Sequence, residues 1–118
     1  MLALRDDPAT AYRRVEFDAR IEGSNGTGLT RLCLERAISE IGQARSMTDR
    51  TLRGEALGRA GSALLALIDG VAQDNPLRRP LLSFYGGLRA QVLAAIAAPE
   101  QGRLEQVERD LSDVLALI

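Results

Sequence analysis

"GSNGTGLT", residues 23–30, decides the fold, because it admits two incompatible readings. It comes after an alternating run, "VEFDARIE" (15–22), and matches the phosphate-binding pattern G-x-x-x-x-G-K-[ST] at Gly23, Gly28 and Thr30. A phosphate cradle needs glycines whose amides converge on the phosphates and a lysine that balances their charge. Leu29 stands at the lysine position, and the chain has no lysine elsewhere, since all 15 of its basic residues are arginine. The cradle also needs a parallel sheet with crossover helices behind it, and the residues after Thr30 carry helical periodicity only. The stretch therefore reads as the punctuation before a helix, with Gly23 to Gly28 turning the chain and Asn25 or Thr27 capping the helix that carries Leu29. Nucleotide binding is not expected.

Outward from that cap, apolar residues set out four helices. Over 26–46, Leu29, Leu32, Cys33, Ala37, Ile41 and Ala44 form a stripe with Leu34 and Ile38 beside it, wider than one helical neighbour requires. A second helix is predicted over 51–71, with Leu57, Ala60, Leu64, Leu67, Ile68 and Val71 inward and Gly54, Gly58 and Gly61 on one side, a spacing that suits close packing. "QDNPLRRP" (73–80) breaks the pattern with an Asn-Pro turn signal. A third helix is predicted over 80–98, with Leu81, Phe84, Tyr85, Leu88, Val92 and Ile96 on one face and Gly86-Gly87 as an internal weak point. Pro99 ends it, and a last helix runs to the C-terminus on Leu104, Val107, Leu111, Val114, Leu115 and Ile118. Upstream, Val15, Phe17, Ala19 and Ile21 alternate as in a strand, yet no second strand exists to pair with them. The expected fold is all-α: an antiparallel four-helix bundle, one domain over 1–118, with residues 1–22 as a short N-terminal helix or extended arm and 23–118 as the body.

Composition narrows the function. Hydrophobic residues make up 46% of the chain and aromatics 3%, so the core is aliphatic, and Leu and Ala favour helix. The net charge of -1 is interspersed, without the basic stripe that phosphate backbones demand. Histidine is absent, which removes the usual near-neutral general base and any Ser-His or H-E-x-x-H constellation. Cys33 is alone and sits in an apolar run, which reads as a small core residue rather than a nucleophile. Glu35 and Glu40, five apart in "LERAISE", read as solvated charge. No stretch is long and apolar enough to span a bilayer, and "MLALRDDPA" lacks a basic n-region with an apolar run behind it. These features point to a cytoplasmic protein that is not an enzyme, with no cofactor, no metal, no nucleic-acid partner and no membrane insertion.

With the helices placed, a resemblance emerges. Ala11-Tyr12, then "VEFDARI", a capping turn and "LTRLCLERAISEIGQA" (29–44) resemble the flagellin-specific secretion chaperone family (FliS). In that family an A-Y precedes a V-x-T-A-S-P turn and a helix reading L-x-x-x-L-Y-x-x-A-I. Ile21 takes the place of the valine and Asn25 that of the capping serine, while Leu29, Leu34, Ala37 and Ile38 fall in the helix register. "ALGRAGSALLALIDGV" (56–71) is similar to the family's A-x-x-I-I-x-x-L-x-x-x-L-D helix, and "LLSFYGGLRAQV" (81–92) to its L-x-x-L-Y-x-Y-M-x-x-x-L helix. The likeness spans about residues 9–98. "GSNG" replaces T-A-S-P, Leu34 the tyrosine of L-Y, and Gly87-Leu88 the Y-M pair.

The resemblance implies a chaperone that binds the disordered C-terminal segment of flagellin, prevents its premature polymerisation and delivers it to the flagellar type III export apparatus, with an export-gate component as a further partner. The apolar surplus of the first long helix is compatible with a groove for amphipathic client helices. The arm is expected to cover that groove in the free protein, with Tyr12 as its anchor and Val15 and Ile21 in support. Leu29, Leu32, Leu34, Ile38, Phe84, Tyr85 and Leu88 complete the expected partner-binding set. The alternative is a small self-associating helical adaptor, in which a second copy covers the surplus face in a homo-oligomer.

Overall fold

The computed structural model of the protein describes residues 26–118. The N-terminal arm, with Tyr12, Val15 and Ile21, and the Asn25 cap lie outside the described residues. Four helices succeed one another: α1 (Gly26–Ser46), α2 (Arg50–Asp69), α3 (Arg78–Ala97) and α4 (Gln101–Leu117), with no strand among the described residues. Thr27 falls inside α1 rather than at a cap.

The links explain the boundaries. Asp49, with extended backbone, accepts a hydrogen bond from the Leu52 amide at 2.9 Å and so caps α2, satisfying one of the amides that a helix start leaves without a partner. Gly70 closes that helix, its amide donating to the Ala66 carbonyl. Val71 lies just past the helical turn but remains buried, and its carbonyl accepts from Arg78 Nη1 at 3.0 Å. The Asn-Pro signal holds: Asn75 Oδ1 accepts from the Leu77 amide at 2.8 Å, turning the chain into α3. Pro80 then falls in the first turn of α3, where the missing amide costs nothing.

Each helix is buried along a three-four rhythm. The seam positions are Thr30, Leu34, Ala37, Ile41 and Ala44 on α1, where Glu40 is also buried, and Leu57, Ala60, Leu64 and Leu67 on α2, where Ala56, Gly61 and Ala63 are also buried. On α3 they are Leu81, Tyr85, Leu88, Val92 and Ala95, and on α4 Leu104, Val107, Leu111 and Val114. An average spacing of about 3.5 residues is the signature of rods packed along nearly parallel seams. Neighbours in sequence are neighbours in space, and α4 closes the ring against α1. The direction of the α1–α4 seam is fixed by its contacts. Arg45, late in α1, reaches Glu105 and Glu108, early in α4, at 2.6 and 2.7 Å, while Arg31 donates to the Ile118 carbonyl at 2.6 Å. These two glutamates hold Arg45 firmly in its charged form. The bundle is therefore antiparallel throughout, as the short links require.

Two of the three glycines on α2 serve the seam with α3. A Cβ on Gly61 would lie 2.9 Å from Leu93 Cδ2, and one on Gly54 would lie 3.4 Å from Ile96 Cγ2. Arg89 Nε adds a hydrogen bond to the Gly61 carbonyl at 3.1 Å. Gly58 meets nothing within 4 Å, so the close approach involves positions 54 and 61 alone. Gly86 and Gly87 likewise face open space, and α3 runs through them unbroken.

Candidate functional site

The seam rhythm sets the phase of α1 and corrects the expected stripe. Continuing back from Leu34, the inward position is Thr30, which is buried, while Leu29 and Leu32 are each 63% exposed. They lie three residues apart and so occupy one face of the helix. Other exposed large apolar residues are Leu52, Leu65 and Leu117, on different elements or ends. Isolated exposed leucines are ordinary; two on the same turn form a ridge.

The ridge borders a groove of about 340 Å³ between α1 and α2, lined by Leu32, Cys33 and Arg36 on one side and Arg59, Ser62 and Ala63 on the other. Ser62 and Ala63 contribute small side chains to the α2 wall of the trough, while Leu32 and Arg36 stand on its α1 wall. Cys33 is half-buried in its wall and packs against the core, and that burial pushes its thiol pKa up. A larger hollow of about 510 Å³ between α2 and α3 is framed by Arg50, Thr51, Gly54, Glu55, Ile96 and Ala97, and it offers no exposed large apolar residue. A third, between α1 and α4, is filled with the charges of the Arg45 cluster.

Paired with the two arginines of the groove, Glu40 departs from the expectation of solvated charge. It is only 7% exposed and is held between Arg36 Nε at 2.8 Å and Arg59 Nε at 3.1 Å. Burial alone would raise its pKa, but Arg59 and Arg36 together outweigh that and hold the carboxyl below the usual glutamate range. Glu35, by contrast, is exposed.

The expected partner-binding residues thus separate into three groups. Leu34, Tyr85 and Leu88 are core residues with no surface to offer in this arrangement, because the seam phase points them inward. Ile38 and Phe84 are half-buried and pack against that core, Phe84 with its ring centroid 5.6 Å from that of Tyr85. Neither lines the groove. Leu32 does, and Leu29 flanks it on the same face. The pattern-based reading missed Arg36, Arg59, Ser62 and Ala63; the first two carry a signal only once Glu40 is known to be buried. No helix among the described residues is long and apolar enough to cross a membrane. No family model, curated protein or solved structure matches the chain.

Proposed function

We propose that the protein is a secretion chaperone that sequesters a disordered, amphipathic client, the C-terminal segment of flagellin, and presents it to the flagellar type III export apparatus. The observation that carries the proposal is the Leu29–Leu32 ridge beside a preformed trough with Leu32, Cys33 and Ala63 in its walls. A helical client could lay its apolar face there. The resemblance of residues 9–98 to the flagellin-specific chaperones supplies the identity of the client, and the all-α bundle is compatible with it. The segment before α1 joins the described fold at Gly26, one turn from Leu29. In this reading it occupies the trough of the free protein through Tyr12, Val15 and Ile21 and yields it to the client.

Burial of apolar surface drives such binding at roughly 25 cal/mol per Å² before ordering costs, and ordering a disordered client opposes it by roughly 2–5 kcal/mol. Isothermal titration calorimetry with a flagellin C-terminal peptide should show a markedly negative heat capacity of binding. Absence of a heat signal with folded protein and an authentic partner removes the client. The self-associating adaptor predicts instead a tight dimer in sedimentation at low concentration, with the ridge buried by a second copy.

A further inference from the structure

We infer that the α1–α2 groove selects an amphipathic polypeptide helix that carries a carboxylate one turn beyond its apolar face, and that this carboxylate seats on Arg36 and Arg59. The inference rests on the client reading above and adds the chemistry by which that site tells one segment from another.

The groove lining contains two arginines and no carboxylate. Glu40, paired with both arginines, neutralises one of the two positive charges, so the rim keeps a net positive charge beside an apolar wall. Both ion pairs are made through Nε, and the Arg36 and Arg59 side chains are 58% and 45% exposed. The terminal NH2 groups of both guanidiniums therefore keep donors without a partner among the described residues. Glu40 also holds the two guanidiniums near each other as ion pairs before any ligand arrives, which lowers the ordering cost of a further contact.

The register comes from helix geometry. Leu29, Leu32 and Arg36 climb one face of α1, and at about 1.5 Å per residue Arg36 lies about 6 Å beyond Leu32. A helical occupant lying along α1 with an apolar side chain against Leu32 brings its residue one turn further on to the two guanidiniums. Aspartate or glutamate there gains charge-assisted hydrogen bonds; an amide gains less, and lysine or arginine is repelled. Such a contact acts as a discriminator between segments of equal hydrophobicity.

The test uses the full chain and two synthetic amphipathic Leu/Ala helices of about five turns, roughly 18 residues, identical except for Glu or Gln one turn beyond the apolar stripe. The Glu peptide should bind roughly three- to fivefold more tightly than the Gln peptide, the range of a partly exposed ion pair. That preference should vanish in Arg36→Gln/Arg59→Gln and widen in Glu40→Gln, where both guanidiniums are released; melting followed by circular dichroism verifies that each variant is folded. Equal affinity for the two peptides overturns the inference and leaves the client reading standing. Binding of neither peptide also overturns the inference, while the flagellin C-terminal peptide decides the client reading separately. A dimer in sedimentation that the double arginine variant dissolves assigns the groove to a second copy and likewise overturns it.

Discussion

Leu32 and Leu34 stand two residues apart on one helix, yet replacing each with alanine should have opposite consequences. Leu34 is fully buried, and truncating a buried leucine removes its transfer energy and leaves a cavity, at a cost of about 2–5 kcal/mol. Leu32 is 63% exposed, so only about a third of it is withdrawn from water. A third of the roughly 1.5–3 kcal/mol for full burial leaves about 0.5–1 kcal/mol, and no cavity forms at a surface. Urea unfolding followed by circular dichroism should therefore show a large drop in midpoint for Leu34→Ala and a small one for Leu32→Ala, with the denaturant slope unchanged in both. Calorimetry with the flagellin peptide should rank the two in reverse, Leu32→Ala losing affinity and Leu34→Ala retaining it wherever the variant is still folded. If Leu32→Ala destabilises the free protein as much as Leu34→Ala, Leu32 is covered in solution and the reasoning from its exposure fails.

Three further outcomes are expected from the fold. Gly87→Ala should stabilise by about 0.5–1 kcal/mol, because the new methyl meets nothing and the glycine's entropic penalty is removed, whereas Gly61→Ala should show no such gain against Leu93 Cδ2; thermal melts compare them directly. Asp49→Ala should cost about 1 kcal/mol by freeing the Leu52 amide, and Asp49→Asn should restore most of it, measured by the same unfolding midpoint. Glu40 has a depressed pKa in the folded state, so as pH falls the unfolded chain takes up its proton first. Its contribution to stability is complete above the ordinary glutamate range and is lost as pH drops through it towards the lower folded-state value. Glu40→Gln should reduce the slope of stability against pH on that acid limb and leave it unchanged near neutrality.

Much of the architecture was legible because apolar periodicity survives in α2, α3 and α4: Leu57, Leu64, Leu81, Val92, Leu104 and Leu111 are all inward where the rhythm puts them. In α1 the phase was harder to read. Thr30 occupies the inward seam position with a polar residue, while Leu29 and Leu32 advertise an apolar face that points outward. Counting apolar residues there gives a broad stripe, and only the neighbouring helices determine which edge of it is core. Leu34 was drawn into the candidate site by the same ambiguity, whereas Tyr85 and Leu88 entered it with the resemblance of residues 81–92 and prove to be core. Glu40 illustrates a second limit. Its burial depends on Arg59, which lies on another helix, and no local pattern encodes a partner across a seam. Gly54 and Gly61, seven apart, were readable as a seam, but Gly58 shares their side of the pattern without sharing their contact.

Tyr85 gives the molecule a spectroscopic consequence. The chain has no tryptophan and two tyrosines, so its near-ultraviolet signal is divided between one ring sealed in the bundle and another, Tyr12, in the segment ahead of α1. Tyr85 lies on α3, which contributes nothing to the α1–α2 trough, so its absorbance and dichroism report the integrity of the interior independently of any occupant of that trough. Tyr12→Phe would leave a single chromophore with that role, and the wild-type signal minus that of the variant would belong to the leading segment alone.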